Sequence, residues 1–133
     1  MNNNVNLTRF HDAQERSYGS YAFALAEIKA GYKRSHWMWY IFPQIKGLGQ
    51  SPTSQYYGIT SIEEAKAYLE DEILGTRLRE ICDALLQHTD KSARDIFGGT
   101  DAMKLKSSMN LLEENKDSKC VCQCNKISSI FVL

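Results

Sequence analysis

The segment between residues 33 and 44 concentrates side chains that can bind or transform a ligand. It contains two cations, a serine, a histidine, two tryptophans and a glutamine: Lys33, Arg34, Ser35, His36, Trp37, Trp39 and Gln44. A guanidinium beside a hydroxyl group can form the paired hydrogen bonds that bind phosphate or carboxylate. Indole rings stack on planar ligands and attract cations. The segment therefore predicts a small-molecule binding site with aromatic walls and basic character.

His36 is the histidine of this segment and the candidate acid–base group. An unperturbed imidazole titrates near neutral pH, so it can take or give a proton beside a bound substrate. The alternative is that its ring hydrogen-bonds a backbone carbonyl and stabilises the turn. The sequence contains no phosphate-loop, GxGxxG or HExxH motif, and no other catalytic residue is assigned.

The cations and tryptophans also have structural interpretations. Lys33 and Arg34 follow a predicted helix C-terminus, where the helix dipole favours positive charge. Trp37 and Trp39 are two residues apart, so on a helix they point to different faces. We expect one indole to pack in the core and the other to line a cavity.

A second polar pair lies in the segment KLKSSM, near the end of the predicted helical region. If the apolar stripe of this helix faces the core, Ser108 lies at its edge and Lys104 just outside it. Both side chains are then predicted to reach the same cleft as the aromatic segment, although a solvated helix flank is the alternative. Arg9 and Gln14, on the first helix, are weaker candidates for the same cluster. The stripe consists of Leu105, Met109 and Leu112.

Helical periodicity accounts for most of the chain. Apolar residues recur at spacings of three and four in two stripes, which predict two longer helices. Gly31 and Pro43 mark helix ends, so the aromatic segment is at most two helical turns before a loop. Gly75 is predicted to interrupt the helical pattern at the start of the second stripe. The stripes are Tyr21, Leu25, Ile28 and Tyr32, and Leu74, Leu78, Ile81 and Leu85.

Cap signals divide the remaining helices. Ser61 followed by Glu64 is a capping-box pattern. Ser92 can begin a short helix that ends at residues 98–99, and Thr100 or Asp101 can cap the last helix. The fold class is therefore predicted as all-α: one compact domain of about six short helices, residues 1–115, with an aromatic-rich loop. Residues 116–133 show no helical stripe and form a divergent, cysteine-containing tail.

Composition argues against several classes of protein. Lys and Arg number 16 and Asp and Glu number 16 in the 133 residues. This zero balance argues against a general polyanion binder, which needs clustered uncompensated cations, and leaves a local basic patch as an alternative. The N-terminus has no signal-peptide pattern, and the longest apolar run, residues 37–43, is too short to span a membrane. We expect a cytoplasmic protein without a nucleic-acid or membrane partner; its oligomeric state is not indicated.

The cysteines do not predict a metal site. Cys82 lies alone in a helical pattern, whereas Cys120, Cys122 and Cys124 alternate in the tail. Structural zinc sites use spacers of two to four residues and a fourth ligand, which no nearby histidine supplies. We expect reduced thiols, no metal and no cofactor.

Several segments resemble, in order and spacing, a family known as domain of unknown function 1810. The resemblance implies a small, mainly helical, single-domain protein, and it implies no established activity. Asp71 and Glu72 stand where the family usually has His-Pro, which removes one imidazole, and the chain departs from the family pattern after SSM. The segments are LTRFHDAQ, KRSHWMWYIFPQIKGLGQS, YGI, EAKAYL, LGTRLRE, DIFGG and KLKSSM, within about residues 7–109.

Three functions fit these observations. The preferred one is binding of a small anionic or nucleotide-like ligand in an aromatic and basic pocket. The second is a protein-interaction or structural module with an exposed patch. The third is an enzyme in which His36 acts as acid or base and Lys104 or Arg34 stabilises negative charge. The sequence does not decide whether the protein is an enzyme.

Overall fold

The computed structural model describes residues 5–113, and this part of the chain is all-α as predicted. One extended contact, a parallel bridge between Ile45 and Ile59, accompanies the helices in this range. Seven helices lie in this range, in agreement with the expected number of about six, and the aromatic segment forms one helical turn, within the two turns predicted. The helices are α1 (Thr8–Gln14), α2 (Tyr21–Ala30), α3 (Met38–Ile41), α4 (Pro52–Tyr57), α5 (Ile62–Glu70), α6 (Glu72–Leu86) and α7 (Ala93–Glu113).

Serine side chains cap the N-termini of α2, α4 and α5. The hydroxyls of Ser20, Ser51 and Ser61 each accept a hydrogen bond from the backbone N–H three residues later, which satisfies one of the free N–H groups of the first turn. The predicted cap at Ser61 is confirmed, with 3.0 Å from the N–H of Glu64. The Glu64 carboxylate bonds the N–H of Thr60 at 2.8 Å, one residue before the position expected in a capping box.

The boundary between α5 and α6 lies at Asp71, not at Gly75 as the sequence suggested. The Asp71 carboxylate accepts from the N–H groups of Ile73 and Leu74 at 3.0 and 2.9 Å. Gly75 is inside α6, where a Cβ atom would lie 2.1 Å from the carbonyl oxygen of Leu69. The glycine therefore permits close packing of the two helices.

The last helix is interrupted at Gly98, whose φ of 81° and ψ of 168° are not helical. Before the interruption, the Asp95 N–H donates to the Ser92 hydroxyl at 3.1 Å, and the Ser92 N–H donates to the Asp95 carboxylate at 3.0 Å. The predicted helix start at Ser92 and the break at Gly98 are therefore confirmed. Thr100 and Asp101 lie inside the second helical part. The prediction that one of them caps this helix was wrong.

The core is built from aromatic and aliphatic side chains at the helix contacts. Helices α2 and α5 both pack against α6, whereas α3 contacts α1 and α4. The aromatic segment thus packs against the core on one side, and its other side faces α4 and α7 across a cleft. Among the described helices, none has the length and apolar character needed to cross a bilayer. Buried rings in mutual contact are Phe10, Trp37, Tyr40, Phe42, Tyr57, Tyr68 and Phe97.

The predicted tail, residues 116–133, lies outside the described residues, and with it Cys120, Cys122 and Cys124. The proposed domain boundary at residue 115 therefore stays a prediction. Cys82 is a buried residue of α6.

Candidate functional site

A cleft of about 100 Å³ lies where the aromatic segment faces α4 and the second part of α7. The structure brings together in its lining five of the side chains predicted for the site, from residues far apart in the sequence. These five are Lys33, His36, Trp37, Trp39 and Lys104. The other lining residues are Met38, Tyr40, Thr53 and Asp101.

Asp101 joins the two lysines of the cleft. Its Oδ2 lies 2.8 Å from the Nζ of Lys33 and its Oδ1 lies 3.2 Å from the Nζ of Lys104. Burial by itself raises the pKa of Asp101, but the hydrogen bonds and positive charges of the two ammonium groups outweigh it, so the pKa is lowered. The carboxylate is ionised near neutral pH, and the three groups together carry one positive charge.

The two ammonium groups differ in their surroundings. The side chain of Lys33 is 8% exposed; its Nζ donates to the carbonyl of Ser35 at 2.5 Å and lies 4.9 Å from the Trp37 ring centroid. The side chain of Lys104 is 24% exposed, and its Nζ lies 4.9 Å from the Trp39 ring centroid. Lys33 is a buried structural cation, whereas Lys104 faces the cleft with the indole beneath it.

Glu27 of α2 fixes the loop that carries these residues. Its carboxylate accepts from the N–H groups of Arg34 and Ser35 at 2.7 and 2.9 Å. It also accepts from the Ser35 hydroxyl at 2.6 Å and the Trp37 indole N–H at 2.9 Å. Burial raises the pKa of Glu27, but these hydrogen bonds together lower it below the usual value.

Of the two indoles, one packs in the core and the other lines the cleft, as expected. Trp37 is 1% exposed and contacts the rings of Phe42 and Phe97. Trp39 is partly buried and lines the cleft. The first indole anchors the segment in the core, and the second forms the aromatic wall of the site.

His36 is exposed at the edge of the cleft. Its backbone carbonyl accepts from the Tyr40 hydroxyl at 3.1 Å. The imidazole ring makes no hydrogen bond to another residue of the described range. The turn is thus stabilised by the His36 carbonyl, and no neighbouring group fixes the tautomer of the ring.

Two predicted residues of the same loop do not line the cleft. Arg34 is exposed, and its guanidinium lies 5.6 Å from the ring centroid of Tyr32. Ser35 is buried with its hydroxyl on Glu27. Both residues hold the loop through backbone and hydroxyl bonds to one carboxylate, and a binding role for their side chains stays a prediction.

Gln44 and Ser108 are fully buried instead of lining the cleft. The Gln44 amide donates to the carbonyls of Phe42 and Lys104, each at 2.9 Å, so it attaches the loop after Pro43 to α7. Within residues 5–113, the Oε1 of Gln44 and the hydroxyl of Ser108 have no hydrogen-bond partner. Whether either side chain contacts a ligand stays a prediction.

The weaker additions on α1 are structural. Arg9 forms an ion pair with Glu64 at 2.7 Å, and the Gln14 amide donates to the Tyr40 carbonyl at 2.9 Å and the Tyr68 hydroxyl at 3.2 Å. Both connect α1 to neighbouring elements away from the cleft.

Sequence reasoning missed three important residues: Glu27, Thr53 and Asp101. Asp101 is three residues before Lys104, a spacing that places two residues on neighbouring positions of a helix, and this was the available signal. Glu27 and Thr53 carry no comparable signal, since their roles arise from contacts between distant elements.

A second, wider groove of about 530 Å³ has a mainly apolar character. No charged side chain is found among the described residues that line it, so it offers no acid–base chemistry. Within residues 5–113, no cluster of three or more His, Cys, Asp or Glu side chains is placed to hold a metal ion. The groove is lined by Ile45, Ile62, Ser107, Asn110 and Leu111.

The model of one protein family, described as proteins of unknown function (DUF1810), matches residues 4–130. The chain belongs to the DUF1810 family. It is also similar to the crystal structure of the conserved hypothetical protein Rv1873 from Mycobacterium tuberculosis, at 40% identity and a TM-score of 0.87, over 96% of this chain and 87% of that one. No curated protein matches the sequence significantly. The resemblance and the all-α fold are confirmed, and the DUF1810 description assigns no activity.

Proposed function

We propose that this DUF1810 protein binds a small anionic ligand in the cleft beside Trp39, with Lys104 as its anchor. The supporting observation is the position of the Lys104 ammonium, 4.9 Å from the Trp39 ring centroid in a concave lining that joins polar and aromatic groups. Ligand sites combine apolar walls with a few convergent polar groups in this way. Because the cation is only partly exposed, water weakens its attraction for an anion less than it would on the open surface.

The size of the cleft limits how much of the ligand is enclosed. Pockets that bury drug-sized ligands measure roughly 300–1,000 Å³, whereas this cleft measures about 100 Å³. The site therefore suits one anionic group, with the body of the ligand against the outer part of Trp39. A nucleotide-like ligand would place only its charged group inside.

Acid–base catalysis by His36 is the less supported alternative. Catalytic imidazoles are usually oriented by a hydrogen bond to the second ring nitrogen, and the described residues provide none for His36. The interaction-module alternative stays a prediction, for which the half-exposed Ile45 and Ile62 beside the wider groove are the available apolar surface.

Thermal-shift measurements with a panel of carboxylates, nucleotides and sugar phosphates test the proposal. A ligand at a hundred times its dissociation constant stabilises the folded state by about 2.7 kcal/mol, which corresponds to a shift of several degrees. We expect Lys104→Gln to lose the shift. Lys106→Gln, which changes an exposed lysine of the same helix, should keep it.

The absence of a shift across the panel would contradict the proposal. An equal shift in wild type and Lys104→Gln would also contradict it, because the ligand would then bind elsewhere.

A further inference from the structure

We infer that the group recognised by this cleft carries a single negative charge, as carboxylates and sulfonates do, so that phosphate monoesters, which approach two negative charges, bind more weakly. The inference rests on the proposed function and makes it more specific. It follows from the Lys33–Asp101–Lys104 cluster, in which a carboxylate lies between two ammonium groups.

The hydrogen bonds of the cluster leave one ammonium available. An ammonium has three N–H donors. The Lys33 ammonium has two polar partners, the Ser35 carbonyl and Asp101. The Lys104 ammonium makes one hydrogen bond within the described range, to Asp101. Each ammonium also lies 4.9 Å from the centroid of an indole ring. Lys104 therefore has one more free donor than Lys33, and its side chain is the more exposed of the two, 24% against 8%.

The charges of the cluster favour a monoanion. A first negative charge beside Lys104 is attracted by an ammonium with free donors. The Lys33–Asp101 pair is neutral overall, so the three groups present one net positive charge to a ligand. The attraction to this charge grows in proportion to the charge of the ligand. The hydration that the ligand loses on entering the cleft grows about as the square of its charge, so a second negative charge costs more than it gains.

Neutral donors at the cleft suit the two oxygens of a carboxylate. The exposed side chains of Thr53 and His36 line the same cleft, and each can donate one hydrogen bond. The Tyr40 hydroxyl is not available, because it donates to the carbonyl of Gly19 at 2.6 Å. Lys104 with one or two neutral donors supplies the bonds that a monoanion needs without a second positive charge.

Three probes that share a phenyl ring separate charge from shape. Benzoate is a planar monoanion, benzenesulfonate is a tetrahedral monoanion, and phenyl phosphate is close to a dianion at pH 8 because a phosphate monoester has its second pKa near 6. By isothermal titration calorimetry we expect benzoate and benzenesulfonate to bind the wild-type chain with similar affinity. Phenyl phosphate should bind at least tenfold more weakly, which corresponds to about 1.4 kcal/mol.

Variants at the central carboxylate should change this selectivity. Asp101→Asn raises the charge of the cluster by one, so phenyl phosphate should gain at least tenfold relative to benzoate. If the buried Lys33 without its partner prevents folding, Thr53→Lys, at an exposed position of the cleft lining, raises the positive charge by one instead. It should reduce the preference for benzoate in the same direction. Lys104→Gln should abolish binding of all three probes, whereas Lys106→Gln should not.

Two outcomes overturn the inference and leave the proposed function intact. One is a wild-type affinity for phenyl phosphate equal to or above that for benzoate. The other is an unchanged preference in a folded variant in which the positive charge at the cleft is raised, Asp101→Asn or Thr53→Lys. If no anion of the wider panel binds in a Lys104-dependent manner, the proposed function itself fails, and the inference with it.

Discussion

At the scale of single residues, the carboxylate of Glu27 holds the loop that carries the site. Glu27 accepts hydrogen bonds from two backbone N–H groups, a hydroxyl and an indole, all from residues 34–37. Bonds to an ionised acceptor are roughly twice as strong as neutral ones. Because the loop holds Lys33 and leads directly into α3, this residue positions the cleft without lining it.

Replacing Glu27 by glutamine should destabilise the protein. The amide keeps one acceptor oxygen, but its NH2 group would face donors of Ser35 or Trp37, so at least one of these bonds is lost. The expected loss is about 1.5–3 kcal/mol of unfolding free energy, the range for hydrogen bonds to charged groups. Urea denaturation followed by tryptophan fluorescence measures it.

Glu70→Gln is the matched control, since Glu70 is exposed at the end of α5. It should change stability by less than about 0.5 kcal/mol. Equal stability of the Glu27→Gln variant and the wild type would show that the loop is held by other contacts.

Residue types along the chain predicted part of the site. Lys33, His36 and Lys104 were selected from charge and spacing, and the structure brings them to one cleft. The sequence did not show that the Lys33 ammonium is already bound by Asp101, because Asp101 lies on α7 and reaches Lys33 only through tertiary packing. Intrinsic chemistry is visible in a sequence, whereas the direction of a side chain is set by elements that pack against it.

At the scale of elements, the junction of α5 and α6 depends on close backbone contact. Asp71 ends one helix and caps the next, so the two helices turn within one residue. The sequence suggested that Gly75 breaks a helix, since glycine often does so. Its actual role is steric, because the Leu69 carbonyl occupies the space of a side chain.

Gly75→Ala should therefore destabilise the protein, although alanine favours helix by about 1 kcal/mol. The new Cβ would lie 2.1 Å from the Leu69 carbonyl oxygen, which forces the helices apart. We expect a net loss of about 1–3 kcal/mol, as for other overpacked sites. Thermal unfolding by circular dichroism measures the change.

Gly99→Ala provides the opposite control. Gly99 lies in α7 with ordinary contacts of 3.6 Å or more around its Cβ position, so alanine there should be neutral or stabilising by up to about 1 kcal/mol. A Gly75→Ala variant as stable as Gly99→Ala would contradict the steric role of Gly75.

At the scale of the whole molecule, hydrophobic periodicity predicted the helices. It did not predict which side of each helix faces its neighbours. Stripes and serine caps identified the helical segments because they depend on neighbours along the chain. Ser108 was expected at the edge of its helix stripe, yet it is 0% exposed. The amide of Gln44 bonds the Lys104 carbonyl and so attaches the loop after Pro43 to the same helix. Such long-range contacts leave no periodic signal.

Three carboxylates with lowered pKa values connect elements of the molecule. Glu27 joins α2 to the aromatic segment, Asp71 joins α6 to His11 of α1 at 2.9 Å, and Asp101 joins α7 to Lys33. At each site burial raises the carboxyl pKa, but hydrogen bonds and, for the two aspartates, positive charges lower it overall. Each group therefore releases its proton more readily in the folded than in the unfolded chain.

This sign predicts how stability depends on pH. A carboxyl group with a depressed folded pKa stabilises the protein fully above its unfolded pKa, which is 4.5 for Glu and 3.8 for Asp, and the contribution is lost as the pH falls through the folded pKa. Unfolding free energies from urea titrations should thus be nearly constant from pH 7 to about 5 and should decline steeply below it. In Glu27→Gln the decline should be shallower, because one linked proton is missing. A decline as steep as that of the wild type would mean that Glu27 binds its proton equally well in the folded and unfolded chain, contrary to its four hydrogen bonds.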